Sequence, residues 1–349
     1  MKVGIVIVTY QAKKWLDISL ASCFSYAPGV PVYVVDNAST DGTVDSIKQS
    51  YPLVKLIQSP VNLGFAAGNN LGLEQALQDG REAVLLLNQD AALTAGAIAK
   101  LVEVLQADIS IGAVQAGLYL PNGLVNSLGN CFHYLGLAYA GGNGLNKIEA
   151  DEQLPWLKKD LNIPYFSGAG VMLRTATLCQ VGLLDEELFM YHEDLELSLR
   201  FLVSGWKIKV EPTARIIHHY QANRSLKQFY YMERNRWLVW FSYFKVPTLM
   251  ILAVPWFFSE VLLLAMSFWQ GWWRQKLKAY WYCLNRPAQE GIINRRRRLK
   301  KLKIISDRQI LSQATSQIAF QGGNDFLTAY IFNPVSAAVW RVVYFLIRW

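Results

Sequence analysis

The chain has 349 residues, 52% of them hydrophobic, and a formal net charge of +8, which allows one large domain plus an appendage. The charge is lopsided: Met1 to Trp273 carries 20 basic and 23 acidic residues, whereas Arg274 to Trp349 carries 14 and 3, so a partner such as an anionic membrane surface or nucleic acid is expected for the tail alone. Cys23, Cys131, Cys179 and Cys283 are scattered without a CxxC pair, which argues against a zinc site or a disulfide framework and fits a reducing, cytosolic setting.

In chain order, VGIVIVT (Val3 to Thr9) reads as a strand buried on both faces of a parallel sheet. It starts directly after Met1 and Lys2, so no signal peptide is expected. A helical stretch runs to about Tyr26. Val32 to Val35 is a second strand, ending on Asp36, and NASTDGT (Asn37 to Thr43) is a turn cluster that caps the next helix. Val54 to Ile57 is a third, short strand, followed by NLGFAAGNN (Asn62 to Asn70) and a helix to about Asp79. Val84 to Leu87 is the fourth, and small residues lead from it into a helix from about Thr94. This alternation predicts an α/β fold with a doubly wound, mostly parallel sheet. No GxGxxG or GxxxxGK[ST] occurs, which argues against a dinucleotide oxidoreductase and a P-loop NTPase.

Three of these strands end in polar residues: Thr9 with Tyr10, Asp36, and Asn88 to Asp90. Open α/β sheets bind ligands at that edge. Asp90 either closes a turn or starts the following helix, or it holds Mg²⁺ or Mn²⁺ against a diphosphate. Asp36 either caps a helix, for which Ser39, Thr40 and Asp41 also serve, or accepts hydrogen bonds from a nucleobase imide or ribose. Gly64 and Gly68 permit close backbone approach in the NLGFAAGNN loop. From about Gly112 to Ile163 the pattern is less regular: Val114 to Leu120 reads as a strand, and the glycines from Gly136 to Gly144 as loops or a flap.

Order returns with PYFSGAGVMLR (Pro164 to Arg174) and the MYHEDLELSLR block. Glu193 and Asp194 fall in the first turn of an apolar helix through Val203. They either serve the helix dipole, beside a Glu196–Arg200 pair at i, i+4, or one of them acts as a general base. Lys207 to Val210 and Ala214 to Ile217 read as short strands, the second delivering His218 and His219.

The ordered set IVIVTY, VDNASTDGT, NLGFAAGNN, LLNQDA, SGAGVMLR, MYHEDLELSLR and IIHH resembles the inverting nucleotide-sugar glycosyltransferases of family 2, with the GT-A fold, over roughly Lys2 to Tyr243. Within that family it leans toward rhamnosyltransferase-like enzymes of bacterial surface polysaccharides, with dTDP-rhamnose as donor. The resemblance implies that Thr9, Tyr10 and Asp36 hold base and ribose, and that Asn37, Asn62, Gly68 and Asn69 lie near ribose and diphosphate. Asn88 and Asp90 match the ends of the DxD metal motif, Asp194 the catalytic base with Glu193 beside it, and His218 a late histidine of the metal shell. Asn88 departs from the family's usual Asp, one carboxylate fewer for Mg²⁺ or Mn²⁺. On this reading residues 1–243 are the catalytic domain, with a nucleotide-sugar-binding half to about 120 and an acceptor half after it.

Ser225 to Tyr243 is aromatic and is expected to be helical near the acceptor side. Val246 to Trp273 then carries a single charge, Glu260, over 28 residues, long enough to span a bilayer. Arg274 to Arg308 holds 12 basic and 2 acidic residues, including RRRRLKK from Arg295 to Lys301. Positive flanks stay cytoplasmic, and so must a domain that uses nucleotide sugars. A re-entrant or in-plane segment is therefore expected within residues 244–349, a helical, membrane-associating region. It would lie at the cytoplasmic face of the plasma (inner) membrane, with the arginines on anionic headgroups and a glycan or polyprenyl-linked acceptor at hand. The alternatives are a non-catalytic sugar-nucleotide binder and a basic-tail nucleic-acid-binding protein; no reader fold accompanies the latter, and no nucleic-acid partner is expected.

Overall fold

The computed structural model describes residues 1–158, 162–220, 226–319 and 328–349. Its first half alternates β1 (Val3–Thr9), α1 (Leu16–Tyr26), β2 (Val32–Asn37), α2 (Thr43–Ser50), β3 (Lys55–Ser59), α3 (Gly64–Gln78) and β4 (Ala83–Leu87). Val, Ile and Leu runs fit strands covered on both faces, and β2 and β4 are buried throughout. β1 pairs in parallel with β2 and β4, and β2 with β3, so their carboxyl ends meet at one edge. The NLGFAAGNN stretch is mostly helix rather than loop, because α3 begins at Gly64. A Cβ on Gly72 would stand 2.5 Å from Val6 Cγ1, and one on Gly68 2.8 Å from Val8 Cγ1. Glycine at both positions lets α3 lie close against β1.

Next come β5 (Ala91–Leu93), α4 (Ala97–Ala107), β6 (Ile111–Tyr119), β7 (Val125–Ser127), β8 (Asn130–Phe132), β9 (Ala138–Ala140), α5 (Lys147–Gln153), α6 (Pro155–Lys158), β10 (Gly170–Arg174), α7 (Thr175–Val181), α8 (Glu193–Val203) and β11 (Lys207–His218). The helix expected from Thr94 starts later, since Ala91–Leu93 is a strand and Gly96, at φ +76°, sets the N-cap. The main sheet runs β3-β2-β1-β4-β10-β6-β11-β5. It is parallel through β4; β10 then runs antiparallel to β4 and β6, and β11 parallel to β6. The two short strands expected between Lys207 and Ile217 are one strand, its register shifting between Glu211 and Arg215, where Pro212 offers no ladder donor.

The rest is helical: α9 (Leu226–Tyr243), α10 (Val246–Trp269), α11 (Trp273–Leu284), α12 (Arg286–Leu302), α13 (Asp307–Leu311) and α14 (Asn333–Leu346). The helix start expected at Ser225 lies outside the described residues. One apolar core joins Leu199 of α8 to Leu238 of α9, Trp256 of α10, Leu299 of α12 and Val343 of α14. α10 turns its only charge inward: Glu260 meets Arg236 of α9 and Lys276 of α11, with Glu233 completing the cluster (Lys276 Nζ to Glu233 Oε2 2.6 Å, to Glu260 Oε2 2.8 Å). Met250, Val254, Phe257, Phe258, Val261 and Leu262 of the same helix face outward. Val246–Trp269 and Thr328–Leu346 are both long and apolar enough to cross a membrane, and only 17% and 11% of their apolar windows are buried.

The arginine run is corrected by the structure. Arg295 is buried and pairs with Asp185 and Glu187; Arg296 donates to the carbonyls of Phe241 and Phe244; Arg298 meets Asp185 and Glu196. At helical spacing the apolar Leu299 turns this side of α12 into the core, and the neighbouring guanidiniums are drawn in with it. Arg297, Lys300 and Lys301 remain exposed.

Candidate active site

A cleft of about 1220 Å³ opens at the carboxyl edge of the parallel strands, with Asn37, Asn62, Asn88, Asp90, Asp194 and His218 in its lining. The sheet register explains the grouping on one wall. After Leu87 the chain turns, with Ala91 N donating to Asn88 O at 3.1 Å, and enters β5. β11 runs back along β5 and sets His218 opposite Ala91. His219 N donates to Asp90 O at 2.8 Å, which seals the end of the pair.

His218 Nε2 therefore lies 3.3 Å from Asp90 Oδ1 and 3.4 Å from Asn88 Nδ2. Its other nitrogen, Nδ1, is 2.8 Å from Asn126 Oδ1, an oxygen that can only accept. Nδ1 thus carries the proton, and in the neutral ring Nε2 presents its lone pair toward the cleft. Metal-binding histidines are held in the same way, by a hydrogen bond from the distal N–H. Asn88 Oδ1 is buried with no hydrogen-bond partner among the described residues. With the Asn88 amide turned so that its oxygen takes the place of Nδ2 beside His218, an imidazole lone pair, a carboxylate oxygen and an amide oxygen make a donor set that suits a hard divalent cation. Among the described residues no cluster of three His, Cys, Asp or Glu side chains forms; here the third donor is an amide. Burial opposes ionisation of Asp90, but a protonated His218 ring, with Nε2–H toward Oδ1, outweighs it and holds the carboxyl below its usual range; a cation bound here would take the place of that Nε2 proton.

Across the cleft, Asp194 sits in the first turn of α8. Leu195 N donates to its Oδ1 at 2.8 Å, and Gly168 N reaches Oδ2 at 3.4 Å. Burial pushes Asp194 up to about 6, against the pull of those two N–H groups. Glu193 is buried, and its Oε2 has no hydrogen-bond partner among the described residues. Burial first, then the charge of Asp194, raises it well above the carboxylate range. The pair thus holds one proton near neutral pH, on Glu193, and Asp194 is the carboxylate.

The approach to α8 is held in an uncommon shape. Phe189, Tyr191 and His192 all have positive φ, between 61° and 66°, which costs free energy for non-glycine residues. Asn235 of α9, fully buried, donates from Nδ2 to the carbonyls of Leu188, Met190 and Tyr191 at 2.7, 2.9 and 2.7 Å. Phe189 O in turn caps α3, accepting from Phe65 N and Ala66 N at 2.7 and 3.1 Å. The fit is tight enough that a Cβ on Gly64 would lie 2.6 Å from Phe189.

Other expected site residues are placed differently. Thr9 and Asp36 lie just beneath the cleft, both buried, with Thr9 Oγ1 donating to Asp36 Oδ1 at 3.0 Å and Ser39 N to Asp36 Oδ2 at 2.9 Å. Asn37 Nδ2 donates to Gly64 O at 2.8 Å, and Asn62 Oδ1 accepts from Gly64 N at 2.9 Å, so both shape the start of α3. Gly68 and Asn69 are inside α3: Gly68 packs on Val8, and Asn69 Nδ2 bonds Phe65 O at 2.8 Å. Tyr10 is exposed, and its backbone is fixed by Gln89, whose Oε1 accepts from Tyr10 N at 2.8 Å. Gln89, Asn126 and Asn235 are the additions. Asn126 sits in a stretch with no periodic signal, and Asn235 lies inside the aromatic stretch from Ser225 to Tyr243, between Arg234 and Arg236.

Residues 4–175 match the family model described as glycosyl transferase family 2. N-acetylglucosaminyl-diphospho-decaprenol L-rhamnosyltransferase of Mycobacterium tuberculosis (strain ATCC 25618 / H37Rv) is 29% identical over 233 residues, 62% of this chain and 75% of the relative. The dTDP-rhamnosyl transferase RfbF of Shigella flexneri is 28% identical over 194 residues, 54% of this chain and 59% of its own length. Among solved structures, mannosyltransferase PcManGT from Pyrobaculum calidifontis, in complex with GDP-Man and Mn²⁺, superposes with a TM-score of 0.53 at 18% identity, over 86% of this chain and 85% of that one. GalNAc-T7 with UDP, GalNAc and Mn²⁺ gives 0.56 at 15% identity, over 70% of this chain; the chain spans 48% of that protein's length. The fold is GT-A and the protein is a glycosyltransferase, similar over residues 4–175 to glycosyl transferase family 2 and, at 28–29% identity, to two rhamnosyltransferases.

Proposed function

We propose that this glycosyltransferase moves a sugar, rhamnose from dTDP-rhamnose in the first instance, onto a hydroxyl of a lipid-linked glycan, with inversion at the anomeric carbon. The observation that carries the reading is the opposition, in one cleft, of a carboxylate tuned to about 6 and the Asn88, Asp90 and His218 donor set. The two named rhamnosyltransferases support the choice of sugar, and the diphospho-decaprenol in the first one's name supports a lipid-linked acceptor.

The chemistry follows from the residues. Asp194, unprotonated near neutral pH, takes the proton of the acceptor hydroxyl as its oxygen bonds to the anomeric carbon. The bond from that carbon to the diphosphate oxygen breaks on the opposite face. Protonated Glu193 keeps the base at a single negative charge. Asp90 Oδ1, His218 Nε2 and Asn88 Oδ1 would hold a divalent cation, Mg²⁺ or Mn²⁺, which supplies positive charge for a leaving diphosphate. Thr9, Tyr10, Asp36 and Asn37 are assigned to base and ribose, where the Thr9–Asp36 bond fixes the carboxylate that accepts from them.

We assign the exposed face of α10 and α14 to the cytoplasmic side of the membrane, lying in its plane. The inward-turned Glu260 supports this, because a spanning α10 would carry the whole Glu233–Arg236–Lys276 cluster with it. Thermal-shift screening with thymidine-, uridine- and guanosine-diphosphate sugars, with and without Mg²⁺ or Mn²⁺, tests the donor. Stabilisation by dTDP-rhamnose above the other sugars supports the reading; stabilisation by none of them removes it.

A further inference from the structure

We propose that a second cavity, between α9 and α11, takes the isoprenoid diphosphate of the acceptor; this rests on the lipid-linked transfer proposed above. The cavity measures about 940 Å³, within the range of small-molecule sites. Its lining includes three cations, Lys227, Arg274 and Lys278, and no carboxylate. All three are exposed, and among the described residues none forms an ion pair. Arg274 and Lys278 are four residues apart on α11 and so project from one face. Elsewhere on these two helices Arg236 and Lys276 are committed to carboxylates, as is Arg295 on the neighbouring α12. Three cations with no carboxylate partner among the described residues line one groove, Lys227 and Arg274 resting over the rings of Phe189 and Trp273 at 5.8 and 5.3 Å, and they fit a multiply charged anion such as a diphosphate.

The groove has two ends of opposite character. Lys227 lines both this cavity and the catalytic cleft, and Tyr231 stacks on Phe189 of the cleft wall at 4.8 Å between centroids. At the other end Trp273 stacks at 5.1 Å on Phe268 of α10, which is 56% exposed and joins the outward apolar face. Trp281, 71% exposed, lines the same wall. A sugar in the cleft, a diphosphate across the cations and an isoprenoid running onto α10 would occupy this path in that order. The aromatic walls offer the apolar surface that the first isoprene units need.

The test uses the full chain in non-ionic detergent and farnesyl diphosphate as probe, followed by tryptophan fluorescence. Wild type should bind it at least about tenfold more tightly than farnesol or inorganic diphosphate. Arg274→Glu with Lys278→Glu should weaken it about tenfold or more, the loss expected for charge-assisted contacts, while nucleotide-sugar thermal shifts stay unchanged. Trp281→Ala should weaken farnesyl diphosphate and leave inorganic diphosphate unaffected. Equal affinity for farnesol, or unchanged affinity in the charge-reversed protein, overturns the assignment. If wild type binds the probe with this charge dependence yet transfers no sugar, the groove stands and the transfer reading fails. If transfer runs and the charge-reversed protein still binds the probe normally, the groove fails alone.

Discussion

His218 Nε2 faces Asp90 Oδ1 at 3.3 Å while its Nδ1 is committed to Asn126 Oδ1 at 2.8 Å. The outer bond therefore decides what the inner nitrogen can do. Asp90→Ala removes the only full negative charge of the Asn88 to Asp90 turn and should abolish metal-dependent donor affinity. Asn126→Leu leaves every proposed ligand in place and should still weaken Mn²⁺ binding by roughly 10–100-fold. Titration calorimetry of donor with Mn²⁺ or with EDTA measures both. Donor affinity indifferent to EDTA in wild type would refute the metal assignment.

Asp194→Asn should lower turnover by about 10²–10⁴-fold, the usual loss for a general base, with donor affinity retained. In wild type, kcat/KM should fall about tenfold per pH unit below about 6, where Asp194 takes up its proton. The stability effect has the opposite sense. The folded-state value is raised, so the stability contributed by the protonated carboxyl is full below about pH 4 and lost as pH rises through about 6. The Asn variant should therefore melt at or above the wild-type temperature at pH 7.5, and the gain should vanish near pH 4. A variant that is both inactive and less stable at pH 7.5 would point to a structural role instead.

Asn235→Asp keeps the shape but removes the N–H groups that hold Leu188, Met190 and Tyr191. With three carbonyls losing their donor, stability should drop by about 2 kcal/mol or more. The sharper readout is kinetic. Asn235 positions Asp194 through the left-handed residues before α8, so kcat should fall with donor KM little changed, and the acid limb of the pH profile should move. Loss of stability with an unshifted pH profile would limit Asn235 to folding.

The basic run separates into two groups by contact. Arg295→Gln strips a buried partner from Asp185 and Glu187 and should cost about 3 kcal/mol of stability, with little effect on vesicle binding. Neutralising Arg297, Lys300 and Lys301, all exposed, should do the reverse. At about 1 kcal/mol per residue, affinity for anionic vesicles should fall roughly 100-fold, and salt should mimic the change. Flotation with liposomes of varied anionic content, beside calorimetric unfolding, distinguishes the two groups. Vesicle binding lost in Arg295→Gln but kept in the triple variant would reverse the assignment.

The parallel half of the sheet was legible because Val3 to Thr9, Val32 to Val35 and Val84 to Leu87 each bury both faces, and a buried strand has to be apolar throughout. The strand direction of β10 was not, since SGAGVMLR carries no mark of which way it runs. Asp90, Asp194 and His218 were found by their places at strand and helix ends, and register then brought Asp90 and His218 together. Asn126 escaped because its task, fixing one histidine tautomer, requires only one oxygen at one distance and leaves no periodic trace. The arginine run misled for a related reason: composition counts charges, whereas Arg295, Arg296 and Arg298 are decided by which face of α12 meets Asp185, Glu187 and Glu196.

The account turns on a single displacement assisted by Asp194, and the anomeric configuration of the product reports on that directly. With dTDP-β-L-rhamnose and a lipid-linked acceptor, the one-bond carbon–proton coupling at the transferred sugar's anomeric centre should show an α linkage from wild type, and Asp194→Asn should give none of that product within the same time. A β-linked product, or an α-linked product formed as fast by Asp194→Asn, would contradict it.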